Sequence, residues 1–503
     1  MTDFYRSLKP TLNKLSRLNV WDSLFVIRQY YNNEFDNYGL DKVHKESIEN
    51  FNVYPIHVYI ADFLISASLK YSQICKSEFS LRKFKERYKI CTEIHKVYEK
   101  ANEILKLYPT IGLKAHTLSQ HKMQHYQLYY ERVYKYYYLF SSENLKEHVQ
   151  NTLGFNVKDY FLLAVCLYFE FSKSFSLTRS NLIDSFEKAK NPWTQEEFHK
   201  LFEMLSLNIK DIRYNKNFDC SNDALLLFYN NAQHVMRPLL CDGDNIYCPI
   251  PIYILNSCIE GLQFHADLKN NTVLNNELAH NLENYIGEQL SYFSDEKIFK
   301  YKKEISYTKE RKTSDWLIYD DENIIFLDCK LKKLTIDASK SLSVDKSIVD
   351  EIIYSHKLKN RKKIESLKEG LSPLMKDILS FGVDVGKILC CYYDWRNNMV
   401  KELPYNKDLR VFAVILTLEE TYCNVVEIKE CIDKIALAYL YEKRGHKLGN
   451  AITTKFISSP TFDMVIPKIK ERGLYKTFFE IELNIEKYGF NDWLKEGFDE
   501  LVK

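Results

Sequence analysis

Glycine and proline are scarce in this chain of 503 residues, which contains 14 glycines and 11 prolines. Both residues interrupt regular structure at turns, so their scarcity indicates long helices with few breaks between them. A strong charge of either sign is also lacking, because the formal net charge is only +2 at pH 7. The net charge therefore does not indicate a nucleic acid or a membrane as the partner, and any charged binding surface must be a local one.

Paired cysteines are missing too. The 12 cysteines form no CxxC pair and show no spacing typical of metal ligands. Most lie in apolar stretches such as residues 164–167, where a thiol serves as a small hydrophobic group. This usage is typical of a reducing compartment, and the first residues show no secretory signal pattern. We therefore expect a cytoplasmic protein.

Long apolar runs and several common motifs are absent as well. The longest apolar run, residues 160–171, is too short to span a bilayer and contains Glu170, so we expect no membrane association. No GxGxxG or GxSxG motif occurs. Residues 382–387 are too short for a phosphate-binding P-loop, and Ile388 stands where that motif requires Ser or Thr.

The hydrophobic content of 46% is that of a globular protein, and the length predicts several domains. Residues 1–240 show apolar side chains at three- and four-residue spacing, clearest over 81–107, which predicts an all-α domain. Turn signals within 237–264 predict the domain join. We therefore expect a mixed α/β domain at 241–425 and a helical extension packed on it at 426–503.

Two patterns in the helical part allow alternative interpretations. The tyrosine-rich segment 126–138 predicts a packed amphipathic helix, with stacking on unpaired bases as the alternative. His121 and His125 lie four residues apart with His116 upstream, a spacing that could hold zinc. Because no acid or cysteine accompanies them, we favour an ordinary pair at the surface or at the edge of the core.

The most informative stretch is 313–333. It contains two short apolar strands, Trp316–Tyr319 and 324–327, joined by a polar turn. If Tyr319 pairs with Ile324 across that turn, the antiparallel register of the whole hairpin is fixed.

This register brings charged side chains together. Asp315 then lies opposite Asp328, with Cβ atoms roughly 4.5–5.5 Å apart. Two carboxylates this close repel, so one takes up a proton or a cation lies between them. Lys330 points to the same face as Asp328, whereas Cys329 points away. The hairpin therefore predicts a site for a hard cation with an ammonium group beside it.

An aspartate before one strand, followed by an acid-x-Lys triplet that ends the next, resembles the PD-(D/E)XK (restriction-endonuclease-like) nuclease superfamily. Here the pattern is Asp315, then Asp328 and Lys330, with Ser314 where the motif has proline. The resemblance implies a restriction-endonuclease-like mixed β-sheet flanked by helices within 241–425. With the helical domain, the expected fold class is α+β or α/β.

The resemblance also implies an activity: a metal-dependent endonuclease that hydrolyses phosphodiester bonds, with DNA favoured over RNA. Asp315, Asp328 and the backbone carbonyl of Cys329 would bind Mg²⁺ or Mn²⁺. Lys330 would orient or deprotonate the attacking water and neutralise the transition state. The alternative is a module on the same fold that binds nucleic acid or a protein without cutting.

In the family, a preceding helix donates a further acid to the metal site. The spacing of 275–293 predicts that helix and offers Glu283 and Glu288. Glu283 falls at the flank of the apolar face and Glu288 toward solvent, so we prefer Glu283. On the helix that follows the hairpin, His356 and Lys357 are equal candidates for a residue that touches the site.

Basic residues surround the predicted site, as a phosphodiester substrate requires. The predicted nucleic-acid contacts are Lys309, Arg311, Lys312, Lys332 and Lys333. The alternative is that these side chains are merely solvated.

The architecture, with its large helical part, resembles bacterial defence or restriction effectors. In that interpretation, which is an analogy of architecture only, the helical part senses a protein or nucleic acid. Many relatives act as dimers, so a homodimer or a partner protein of a multi-component system is expected beside the nucleic acid.

The remaining elements are predicted from local spacing. The alternating, lysine-rich segment 297–312 predicts the first strand of the core. Apolar, β-rich runs predict further strands at 387–393 and 411–416. Helical spacing predicts helices that include 347–359 and 477–496.

Overall fold

The computed structural model describes residues 2–32, 58–76, 84–107, 129–188, 194–214, 233–268, 271–331, 344–403, 405–406, 408–419, 421, 423, 426–445, 452–480 and 491–502. His116, His121 and His125, considered above for zinc, lie outside these described residues, as do Lys332 and Lys333.

Helices make up most of the described chain. In chain order they are α1 (Thr2–Leu15), α2 (Val20–Asn32), α3 (Val58–Tyr71), α4 (Phe84–Leu107), α5 (Tyr129–Leu139), α6 (Glu143–Leu153), α7 (Val157–Lys173), α8 (Arg179–Lys188), α9 (Gln195–Leu205), α10 (Ile209–Tyr214), α11 (Gln233–Met236), α12 (Ile252–Leu255), α13 (Leu262–His265), α14 (Thr272–Tyr292), α15 (Lys346–Lys357), α16 (Arg361–Gly370), α17 (Pro373–Arg396), α18 (Val426–Arg444), α19 (Ser459–Val465), α20 (Ile469–Phe479) and α21 (Asp492–Val502).

The strands are shorter and lie in three sheets. In chain order they are β1 (Ser176–Thr178), β2 (Ser206–Asn208), β3 (Leu239–Asp242), β4 (Asn245–Tyr247), β5 (Lys300–Lys303), β6 (Ser306–Thr308), β7 (Arg311–Lys312), β8 (Trp316–Tyr319), β9 (Asn323–Lys330), β10 (Arg410–Thr417) and β11 (Thr453–Ser458). The protein is therefore of mixed α and β class.

The chain divides into two compact units. The first unit comprises 1–123 and 146–270, and the second comprises 124–145 and 271–503. The predicted join at 240/241 differs from this division because it falls inside strand β3. The turn signals that suggested it belong to the β3–β4 hairpin, which lies within the first unit.

The first unit is not all-α, and this part of the prediction is wrong. It contains a four-stranded sheet in the order β1-β4-β3-β2, with β2 and β3 parallel and the other pairs antiparallel. Its strands have only three or four residues, too few for alternation to stand out from helical spacing. Trp21 of α2 stacks on Tyr247 of β4, with ring centroids 3.9 Å apart, and helps to hold helices and sheet in one core.

A buried arginine fixes the end of α7. Arg28, 4% exposed, donates to the carbonyl oxygens of Phe171 at 2.7 Å and Ser172 at 2.9 Å. It also donates to Ser174 O at 3.2 Å and Cys248 O at 3.1 Å. One guanidinium thus satisfies carbonyl groups at the C-terminal end of a helix, where no intrahelical donors remain.

The second unit is built on a five-stranded mixed sheet in the order β11-β10-β9-β8-β5. Strands β5, β8 and β9 are antiparallel neighbours, whereas β9, β10 and β11 run parallel. The predicted strand at 411–416 is confirmed by β10. The predicted first strand is confirmed only over β5, because the rest of 297–312 folds into the separate β6–β7 hairpin.

Helices cover both faces of this sheet. Leu317 and Phe326 share a core with residues of α15, α17 and α18. On the other face, the indole Nε1 of Trp316 donates to Glu283 O of α14 at 3.0 Å. Strand β9 is buried along nearly its whole length, which explains its continuous apolar sequence.

The predicted strand at 387–393 is wrong, because these residues lie in the long helix α17. Ser372 caps the start of this helix and Pro373 follows at its first position, which suits a residue without an N–H. Helix α17 packs closely on α18: a Cβ on Gly382 would come within 2.6 Å of Ile435 Cγ2. A short apolar run cannot by itself distinguish a buried strand from a buried helix.

The segment 426–503 is more than a helical extension. Strand β11 lies within it and pairs with β10, so the segment completes the central sheet. The predicted helix at 477–496 is also wrong as one element, since α20 ends at Phe479 and α21 begins at Asp492.

The tyrosine-rich helix α5 belongs to the second unit and is packed, as predicted. The rings of Tyr134 and Tyr138 lie 5.4 Å and 5.9 Å from that of Trp493. Lys135 pairs with Asp463 at 3.1 Å, and both side chains are 1% exposed. The Tyr285 hydroxyl also donates to Asp463, at 2.8 Å, so the carboxylate is held by several donors.

No single helix in the described ranges is long and apolar enough to cross a membrane. The pair α6 and α7, bent by 60° between them, passes the same test of length and composition only when taken together.

Candidate functional site

The hairpin of β8 and β9 forms as the sequence predicts. Tyr319 pairs with Ile324, and Trp316 pairs with Leu327. The Asp320 carboxylate closes the turn by accepting from the backbone N–H groups of Glu322 at 2.8 Å and Asn323 at 2.6 Å. An aspartate that binds its own following backbone in this way is a strong local turn signal.

Asp315 and Asp328 meet at the open end of this hairpin. The N–H of Asp315 donates to Asp328 Oδ1 at 3.3 Å. The N–H of Cys329 donates to Asp315 Oδ2 at 2.7 Å. Each carboxylate is thus held by the backbone of the opposite strand, and the predicted juxtaposition of the two acids is present.

The electrostatics of the pair follow from burial. Burial, and then the charge of Asp328, raise the pKa of Asp315 to about 7, against the lowering effects of Lys330 and the Cys329 N–H. Asp315 is therefore still partly protonated near neutral pH. This matches the expectation that two converging acids share a proton or require a cation.

Lys330 completes the arrangement. Its ammonium lies 3.0 Å from Asp328 Oδ2, and the lysine side chain is 24% exposed. Burial lowers the pKa of Lys330, but the charges of Asp328 and Asp315 outweigh it and raise that pKa above its usual value. Lys330 is therefore a stable cation at neutral pH. Asp384 of α17 adds to the same effect.

Of the two helix acids, Glu283 lies nearer the pair. Its charge contributes, as the smallest cause, to the raised pKa of Asp315. Its carboxylate, 28% exposed, pairs with His280 at 3.4 Å. Glu288 is exposed, and its charge raises the pKa of Tyr134 and Tyr138 instead. Direct participation of Glu283 in a metal site stays a prediction.

A cavity of about 650 Å³ opens over the pair. Its acidic lining residues are Glu304, Glu310, Asp315 and Asp328. Its basic lining residues are Arg311, Lys312, Lys330, Lys387, Lys443 and Arg444. The cavity that contains the pair of Asp315 and Asp328 is therefore lined by more cations than acids.

The sequence interpretation missed the wall of the cavity formed by α17 and α18. Arg444 binds Asp394 with two donors, Nε at 2.9 Å and Nη2 at 2.7 Å, and Asp394 is fully buried. The Tyr307 hydroxyl donates to the same carboxylate at 2.6 Å. These contacts fix the β6–β7 hairpin against the helices. Only the tertiary fold joins these distant segments.

Three further lysines that line the cavity form ion pairs. Lys312 lies 2.8 Å from Glu304, Lys387 lies 3.1 Å from Asp384, and Lys443 lies 2.9 Å from Glu442. The acids Asp384 and Glu442 are buried, whereas the pair of Lys312 and Glu304 is largely exposed and contributes little stability.

The other predicted residues have mixed placements. Arg311 and Lys312 line the cavity, whereas Lys309 is exposed in the turn before them. His356 is buried and its Nδ1 lies 2.7 Å from Glu442 Oε2, away from the cavity lining. Lys357 is exposed and is not a lining residue either.

Ser314, which stands where the resembled motif has proline, is a buried lining residue of the cavity. Its hydroxyl has no hydrogen-bond partner within the described chain. A buried hydroxyl normally has one, so this atom is available to a ligand or to a water beside Asp315.

No family model, no curated protein and no solved structure matches this chain.

The function is therefore inferred from the site itself. Within the described ranges, no group of three or more His, Cys, Asp or Glu side chains is arranged to hold a metal ion. Mg²⁺, however, is usually bound through one or two carboxylates and keeps several waters. Two converging acids and the hydroxyl of Ser314 form a partial ligand set of that kind, with the ammonium of Lys330 beside it.

Proposed function

We propose that the protein is a metal-dependent nuclease that hydrolyses phosphodiester bonds, with DNA favoured over RNA. The observation that carries the proposal is the meeting of Asp315, Asp328 and Lys330 inside a cavity rimmed by cations. Phosphodiester substrates need both features: cations that bind the backbone, and an acidic centre where a metal ion activates water.

The topology supports the resemblance to the restriction-endonuclease-like fold. Helix α14 is followed by three antiparallel neighbours, β5, β8 and β9, and then by helices and the parallel strand β10. Asp315 precedes the second of those antiparallel strands, and Asp328 and Lys330 end the third. These motif positions, on a mixed sheet flanked by helices, support the proposal.

The residues present fit Mg²⁺ or Mn²⁺. The carboxylates of Asp315 and Asp328, with the backbone carbonyl of Cys329, would hold the ion through hard oxygen ligands. Bound there, the ion would polarise the phosphate and lower the pKa of the attacking water. Its charge would also favour the ionised form of Asp315, which burial opposes.

Lys330 takes the role of a fixed cation. Because its pKa is raised, it does not remove a proton from water at neutral pH. It holds Asp328 in place and stabilises negative charge that develops on the phosphate. Arg311, Lys387 and Lys443 would bind neighbouring phosphates along the polymer.

The first test is degradation of supercoiled plasmid, linear duplex, single-stranded DNA and RNA, with Mg²⁺, with Mn²⁺ and with a chelator. We expect Asp328→Asn and Lys330→Met each to lower the cleavage rate by at least about 100-fold. Asp328→Asn weakens the metal site, and Lys330→Met removes a cation that stabilises negative charge on the reacting phosphate. Asp321→Asn is the matched control, since Asp321 is exposed in the turn of the same hairpin, and it should cleave normally.

Two results would contradict the proposal. One is undiminished cleavage by folded Asp328→Asn and Lys330→Met proteins. The other is a folded wild type that binds nucleic acid but cleaves none of the four substrates with either metal, which is the behaviour of a non-cleaving binding module.

A further inference from the structure

A second cavity, of about 460 Å³, lies in the first unit on its small four-stranded sheet. Strand β2 contributes Ser206, Leu207 and Asn208, and the neighbouring strands contribute Cys241 and Ile246. The volume lies within the range of roughly 300–1,000 Å³ typical of small-molecule sites.

An arginine is held in position at this cavity. The Arg179 guanidinium lies over the ring of Phe202, 4.9 Å from its centroid. Its Nη2 donates to His199 Nδ1 at 2.9 Å, so that ring nitrogen carries no proton. Stacking and a neutral acceptor thus orient the guanidinium without neutralising its charge.

Arg237 lines the same cavity from the segment before β3. Neither Arg179 nor Arg237 makes an ion pair with a carboxylate anywhere in the described part of the chain. Two cations that line one cavity without a carboxylate partner form a receptor for an anion, and arginine suits phosphate because its donors bind two oxygens at once.

The rest of the lining limits the kind of anion. Glu203 and Asp211 also face the cavity and can accept hydrogen bonds from hydroxyl or amino groups. Phe202, Leu207 and Ile246 add apolar surface. A bare inorganic anion would use only the two arginines, whereas a ligand with a phosphate, hydroxyl groups and a flat apolar part would use the whole lining.

We propose that this cavity binds a phosphorylated small molecule of nucleotide size. Its phosphate lies between Arg179 and Arg237, and its hydroxyl or amino groups donate to Glu203 and Asp211. This site is separate from the acidic pair of the second unit, so it stands whether or not that pair cuts nucleic acid.

Cys241 provides a reporter inside the cavity. It is a free cysteine, half-buried, and burial raises its pKa although Arg179 lowers it. Alkylation proceeds through the small thiolate fraction of Cys241, and a ligand bound in the cavity would cover this sulfur. Cys75, free and exposed in the same unit, is the internal control.

The test uses the full chain and titrates AMP, GMP, CMP and UMP separately by calorimetry, with adenosine and inorganic phosphate as incomplete ligands. We expect at least one nucleotide to bind at least about 10-fold more tightly than either incomplete ligand. That nucleotide should slow alkylation of Cys241 but not of Cys75. Arg179→Gln and Arg237→Gln should each weaken binding at least about 10-fold, and the exposed Arg17→Gln should not.

The conservative variant Arg179→Lys, which keeps the charge, should bind more tightly than Arg179→Gln, and circular dichroism confirms that each variant is folded. Absence of binding by all four nucleotides overturns the proposal. So does binding that is insensitive to both arginine variants, or inorganic phosphate that binds as tightly as the nucleotides.

Discussion

Asp315 is a carboxyl group whose ionisation the fold opposes. Its pKa in the folded protein is about 7, because of burial and the neighbouring Asp328, whereas an unfolded aspartate titrates near 3.9. Between these pH values the folded chain holds a proton that the unfolded chain has lost. The free energy of unfolding therefore falls as the pH rises from about 4 to about 7, and the loss is complete above that range.

This linkage predicts a stabilising substitution. Asp315→Asn removes the ionisable group and keeps an oxygen for the Cys329 N–H, so it should raise the free energy of unfolding at pH 8 by at least about 1 kcal/mol. At pH 4 it should change little, because the native carboxyl is then protonated. Urea unfolding at both pH values measures the difference.

Asp321→Asn provides the control, because that exposed carboxylate has no partner to lose within the described chain. If Asp315→Asn instead destabilises the protein at pH 8, the two acids support the fold, and the interpretation of the pair as a metal site loses its basis.

At the scale of single elements, the hairpin of β8 and β9 could be predicted because all its signals are local. Asp320 and Asn323 mark the turn, and the apolar residues on each side set the register. The prediction of a strand at 387–393 failed because a short apolar run looks the same in a buried helix. Lys387 and Lys443 reach the cavity only through the packing of α17 on α18, which no local pattern encodes.

The close packing of α17 on α18 predicts that replacing Gly382 destabilises the protein. Gly382→Ala would place a methyl group 2.6 Å from Ile435 Cγ2 and 2.7 Å from its Cβ. Alanine favours helices, but overpacking typically costs about 1–3 kcal/mol. We therefore expect a lower free energy of unfolding for this variant. Gly370→Ala in α16, where nothing lies within 4 Å, is the control and should not destabilise; equal effects would contradict the close contact.

The end of α7 offers a second element-scale prediction. Arg28→Met would leave four carbonyl oxygens without their common donor. The hydrogen bonds to Phe171 O and Cys248 O are buried, and a buried acceptor left unsatisfied costs about 1–3 kcal/mol, so we expect a loss of at least about 2 kcal/mol in urea unfolding. Arg17→Met at an exposed position should stay within about 0.5 kcal/mol. Similar effects of the two substitutions would show that Arg28 stabilises the protein through the volume of its side chain and not through its hydrogen bonds.

At the scale of the whole molecule, a ligand that binds only the folded chain raises its stability. Mg²⁺ at 100 times its dissociation constant would add about 2.7 kcal/mol. Because bound metal needs an ionised Asp315, the gain in melting temperature should be larger at pH 8 than at pH 6. Asp328→Asn should abolish this gain and Asp321→Asn should keep it. A gain that Asp328→Asn retains would place the metal elsewhere.

The division into units was the least predictable feature. Helix α5 belongs with the second unit although the first unit surrounds it in sequence. Helical spacing cannot reveal such an interruption, because it identifies α5 as a helix but not the unit on which the helix packs. The contacts that decide it, such as Lys135 with Asp463, join residues 328 positions apart.

That ion pair also sets an order of events during synthesis. Lys135 is synthesised 328 residues before Asp463, so this ion pair cannot form until those residues have been added. A fragment that begins at residue 271 would lack α5 and would bury Asp463 without its ammonium partner, a loss of about 3–5 kcal/mol. The second unit can therefore complete its fold only after both Lys135 and Asp463 have been synthesised.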